Sequence, residues 1–189
     1  MSRGPDQVTA ALAHGLGATP GDLSGDLSDE HERWALYRRA FDDPACLPDL
    51  YDAVAVEPDP SVALGIVLHV LGRLPPSDRP AWTDRLGTER GRAYAARRAR
   101  ELGVLQSAAV TALLGDASVP ESWSDWLQLR LAASSDEPAV LNRLAAAGRT
   151  KRIRRLATER ERSIRPAGRP APCAWSNGAS ACGAAAECC

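Results

Sequence analysis

"SSDEPAVLNRLAAAGRTKRIRRLA", residues 134–157, is the stretch that decides the fold class. Pro138 follows two acidic residues, where its missing N–H and fixed φ suit a first helical turn. Val140, Leu141 and Leu144 then recur at helical spacing. Gly148 supplies a stop. Beyond it Ile153, Leu156, Ala157 and Ile164 mark the buried side of a second helix, with arginines on the other side. Two helices joined by so short a turn pack antiparallel.

The same reading extends outward. Asp6 opens a weak helix over residues 7–16, and "GATPGDLSGDLS" (17–28) is a linker of turn formers. Ser28 precedes "DEHERWALYRRAF" (29–41), in which Trp34, Tyr37 and Phe41 share one face. Residues 44–74 read as two helices hinged at "EPDPS" (57–61). The first spans 44–56 with Pro48 in its first turn. The second spans 61–74 and is apolar nearly all round, which predicts an interior position. A short helix starts at Ser77 or Asp78. "TERGRAYAARRARELG" (88–103) has Thr88 as cap and Gly103 as stop, and "VLQSAAVTALLG" (104–115) is a further apolar piece. Trp123, Trp126, Leu127 and Leu131 form one stripe. No segment alternates apolar and polar residues as a strand does. The prediction is an all-α chain, a short α-solenoid of antiparallel helix pairs. Residues 1–27 form an N-terminal helix and linker, 28–162 a helical-repeat domain, and 163–189 a disordered cysteine-containing tail.

The opening stretch resembles HEAT-type repeats, in which an Asp-Pro turn opens a helix with a Val-Leu-x-x-Leu face. A glycine-bearing turn follows, then a helix with arginines beside Ile, Leu and Ala. Taken with "SDWLQLRLA" (124–132), it is similar to a group of actinobacterial helical-repeat proteins of uncharacterised function. The likeness is good over 119–160, loose over 40–110 and absent from the last 25 residues. The resemblance implies a curved helical surface that binds another macromolecule, most often a protein, and it carries over no catalytic residue. The expected function is a non-enzymatic protein-interaction scaffold with a protein partner and no cofactor.

Charge and composition narrow the partner. A net charge of −1 gives no bulk preference for nucleic acid or membrane, and neither is expected as a partner. The average conceals an asymmetry. Residues 1–60 hold 12 acidic and 4 basic side chains, whereas residues 149–165 hold 8 basic and 2 acidic. Lys151 is the only lysine against 22 arginines, the mark of GC-rich bacterial codon usage, so arginine abundance alone is discounted. Arg152, Arg154 and Arg155 in "RTKRIRR" (149–155) are the candidate partner-binding residues, set against the reading that they are a solvated outer face. A helical-repeat enzyme acting on DNA would need an acidic residue facing a basic, aromatic-lined groove, and none is located. Trp123 and Trp126 read as core. No signal segment is visible. The most apolar run, "SVALGIVLHVLGRL" (61–74), is too short to span a bilayer and carries His69 and Arg73. A cytoplasmic protein with reduced thiols is expected.

"CAWSNGASACGAAAECC" (173–189) holds four of the five cysteines. It has no CxxC pair and no nearby histidine, which argues against a zinc site. The alternative to the scaffold is a precursor of a ribosomally made modified peptide. Its helical body would then be the leader, and Cys173, Ser176, Ser180, Cys182, Cys188 and Cys189 the modified residues. The plainest reading is a disordered tail without selected function. His14, His31 and His69 have no ligand-spaced partners, and His69 reads as a core histidine. Cys46 reads as a small buried hydrophobe. No metal, cofactor or catalytic residue is expected.

Overall fold

Acidic and hydroxyl caps set most of the helix starts, and prolines occupy several first turns. The computed structural model describes residues 5–17, 29–107, 119 and 122–164. Among them are nine α-helices and no strand. These are α1 (Pro5–Gly15), α2 (Glu30–Ala40), α3 (Leu47–Val56), α4 (Pro60–Leu71), α5 (Arg79–Asp84), α6 (Glu89–Leu105), α7 (Asp125–Ser134), α8 (Pro138–Ala147) and α9 (Lys151–Ile164). Of the apolar piece at 104–115, residues 104–105 continue α6 and 108–115 lie outside the described residues, as do the cysteine-containing tail from 165 onward and nearly all of the linker at 17–28.

Local chemistry explains where the boundaries differ from expectation. Asp29, not Ser28, caps α2, its carboxylate accepting from the His31 N–H at 2.7 Å. Residues 44–56 split into a 3-10 turn, Pro44–Cys46, and α3, because Asp43 caps the turn through the Ala45 N–H. Asp59 accepts from the N–H groups of Ser61 and Val62 and starts α4 one residue early, at Pro60. Gly103 does not stop α6, which continues to Leu105; its Cα faces open space, so the glycine neither breaks the helix nor fits a tight contact. Trp123 precedes the Ser124 cap of α7, so it lies outside the helical stripe although it is buried.

Two apolar cores result. Leu12, Leu50, Ile66 and Leu71 are fully buried in the first, which α1 to α6 enclose. Leu127, Leu141, Leu144 and Ile153 centre the second, formed by α7 to α9. α6 serves both: Ala95 lies in the first core, while Val104 and Leu105 pack against the second. α4 packs on α2, α3, α5 and α6, as its all-round apolarity requires. Among the described residues, every substantial helix–helix contact joins helices adjacent or next but one along the chain. His69 departs from its expected core position. It sits on the exposed edge of α4, stacked on Phe41 at 3.9 Å between ring centroids. Partial desolvation of the ring where it stacks on Phe41, then the charge of Arg73, holds its pKa below the usual 6.5. Cys46 is buried as expected, and that burial pushes its thiol pKa up.

Buried polar side chains tie neighbouring turns together. Arg33 grips the Glu57 carboxylate through Nε and a terminal nitrogen at 2.8–3.1 Å, and the Tyr37 hydroxyl donates to it at 2.8 Å. Burial first, then this hydrogen bond, raises the Tyr37 pKa beyond the ordinary tyrosine range. Arg79, 3 % exposed, donates to the carbonyls of Leu71 and Leu74 at the C-terminal end of α4, where a cation suits the helix dipole. Gln128 donates to the Trp123 carbonyl and accepts from the Arg149 N–H, fixing the α8–α9 turn on α7.

Candidate interaction surface

The arginines singled out in the sequence do not act as one group. Arg152 and Arg155 are exposed on the outer ridge of α9 with Lys151 and Arg162. Arg155 pairs with Glu159 one turn on, at 2.8 Å. Arg154 is half-buried and turns back, donating to the Gly148 carbonyl at 2.6 Å. It therefore holds the α8–α9 turn. An exposed i,i+4 pair contributes little to stability, so the ridge is chiefly a solvated basic surface.

A second surface forms where α6 meets α7. On α6, Arg90, Tyr94, Arg97 and Arg98 recur at i, i+4, i+7 and i+8 and so share a face. Arg98 is the pivot. Its guanidinium carbon stands 3.5 Å from the centroid of the Trp126 ring, and one of its nitrogens donates to the Tyr94 hydroxyl at 3.1 Å. Arg97 lies over the Tyr94 ring at 5.2 Å, and Arg130 over Trp126 at 5.6 Å. The result is a ladder of alternating guanidinium and aromatic groups running from α6 onto α7. Cation–π contacts of this kind contribute about 0.5–2 kcal/mol each, more where water is excluded.

Glu101 lies beneath the ladder. Its side chain is 5 % exposed, and its carboxylate stands 3.3 Å from Arg98. Neither carboxylate oxygen accepts a hydrogen bond. It is enclosed and offsets the charge of Arg98. Tyr94 is the one large hydrophobic side chain exposed among the described residues, at 37 %. Beside it a cleft of about 490 Å³ opens between α4 and α6, lined by Pro60, Leu64, Leu68, Arg90 and Tyr94 among others.

No protein-family model, curated protein or solved structure matches this chain. The surface therefore stands on its own chemistry. Among the described residues, no group of three or more His, Cys, Asp and Glu side chains is placed to hold a metal ion. None of the described helices is long and apolar enough to cross a membrane. The candidate modified residues Cys173, Ser176, Ser180, Cys182, Cys188 and Cys189 lie outside the described residues.

Sequence reasoning passed over Tyr94, Arg97, Arg98 and Arg130. The signal was present in "RGRAYAARRAR" (90–100), where a tyrosine is flanked at helical spacing by arginines. Discounting arginine as codon bias hid it. Trp126, read as core, packs against the second core but is only half-buried, and Arg98 lies over its ring.

Proposed function

We propose that the chain is a non-enzymatic protein-interaction scaffold built as a short HEAT-like stack of helix pairs. The observation that carries this reading is the packing pattern, in which each described helix makes its substantial contacts with near neighbours along the chain. Such an arrangement is quasi-one-dimensional and presents one helix face after another in series to an extended partner. The exposed residues also suit the role. Tyr, Trp and Arg are the side chains most enriched at binding hot spots, and the α6–α7 junction concentrates all three. A cytoplasmic site of action belongs to the same reading.

Photo-crosslinkers placed in the full chain at positions 97 and 152, in the organism that makes it, test the proposal. A discrete heteromeric protein adduct from at least one position is the expected result. Adducts from neither position contradict it. Arg152→Glu with Arg155→Glu then decides whether the α9 ridge takes part. Arg154 is spared in that variant because it holds the α8–α9 turn.

A further inference from the structure

The cleft and the ladder form one continuous surface. Tyr94 and Arg90 line the cleft, and Tyr94 is also the first aromatic of the ladder. The cleft contributes aliphatic surface from Leu64, Leu68 and Pro60, and the ladder contributes guanidinium groups. Charge is one-sided. Arg98 is offset by Glu101, while Arg90, Arg97 and Arg130 are exposed and form no ion pair among the described residues. Two neighbouring zones, one apolar and one cationic, require a ligand with both characters.

We infer that this face takes an acidic, amphipathic polypeptide segment, with apolar side chains in the α4–α6 cleft and carboxylates on Arg90, Arg97 and Arg130. The inference rests on the scaffold reading and names the chemistry of its partner. Arginine suits the task because its planar fork meets a carboxylate through two hydrogen bonds. The Tyr94 ring beneath Arg97 and the Trp126 ring beneath Arg130 restrain those two guanidinium groups, which lowers the ordering cost of binding. Nucleic acid fits less well. A phosphate chain needs a long cationic track, whereas this patch offers three exposed guanidinium groups beside an apolar cleft that a sugar-phosphate backbone leaves unfilled.

Fluorescence anisotropy on the full chain at low salt tests the inference. The probes are a labelled peptide alternating Leu or Phe with Asp or Glu, its Asn/Gln counterpart, a Gly/Asp/Glu peptide without apolar residues, and single-stranded oligothymidine. Saturable binding of the first peptide is expected, with about a tenfold loss or more for the other three probes. Arg97→Glu with Arg130→Glu should weaken it about tenfold or more, since close charge pairs are being reversed. Both positions are exposed, and an unchanged helical circular dichroism spectrum verifies folding. Arg152→Glu with Arg155→Glu should leave binding unchanged. Equal or tighter binding of oligothymidine, binding that survives the Arg97/Arg130 variant, or no binding of the acidic peptide each overturns the inference. Self-association of the chain through this face, lost in the Arg97/Arg130 variant during sedimentation, also overturns it. If the peptide fails while crosslinking from position 152 still yields a partner, the scaffold stands and this surface is not its site. If both fail, both readings fall.

Discussion

Gly148 is fixed by a close approach, not by its backbone angle. Its φ is −57°, which any residue tolerates. A Cβ there would press on the Leu144 carbonyl oxygen and stand 2.7 Å from Cγ2 of Ile153. The carbonyl is backbone, and it accepts the Gly148 N–H at 2.9 Å, so it cannot move aside without losing the turn. Gly148→Ala should therefore destabilise the chain by about 1–3 kcal/mol, as overpacking does, read as a lower urea midpoint. An unchanged midpoint would show that the turn is looser than described. The sequence shows this glycine as a helix stop, but not the contact behind it. Glu57, Arg79 and Gln128 were invisible for a related reason. Arg33 is 24 residues from Glu57, and Arg149 is 21 from Gln128. No local pattern announces a pair at that separation.

At the level of elements, helix existence was legible and helix ends were less so. Periodicity marks the apolar face of each helix, and Pro and Asp mark the starts. The ends depend on which side chain reaches the first free N–H groups, and residues 57–61 contain several candidates. Asp59 decides the start of α4. The N–H of Ser61, then that of Val62, hold its carboxyl below the usual 3.8. Because the folded pKa is lowered, the unfolded chain binds more protons around that value. The cap's contribution is therefore present above pH 3.8 and lost as pH falls through the folded value. Asp59→Ala should lower the thermal midpoint at neutral pH, and its difference from the parent should shrink in acid. A difference independent of pH would remove Asp59 as the cap. α6 shows the opposite failure. Gly103 reads as a stop, yet packing of Val104 and Leu105 on the second core carries the helix past it. Tertiary contact outweighs a cost of about 1 kcal/mol for a helical glycine.

For the whole molecule, all-helical architecture followed from periodicity alone, and the two cores follow from which stripes face each other. Their junction did not. It depends on Arg98, Glu101, Trp126 and Arg130, drawn from two helices whose mutual orientation no periodicity encodes. Arg98→Met leaves Glu101 buried without a cation, which should cost about 3–5 kcal/mol in a denaturant melt. Arg98→Met with Glu101→Leu should recover most of that loss; if the double variant is as unstable as the single, the pair does not act as a unit. The inferred site for an acidic amphipathic segment lies on the same junction. The most direct test is amide mapping by two-dimensional NMR of the labelled full chain, titrated with the acidic amphipathic peptide. The account predicts shifts concentrated at residues 90–98 of α6, 126–130 of α7 and 60–68 of α4, with α9 silent. Shifts confined to residues 151–162, or none anywhere at saturating peptide, would contradict it.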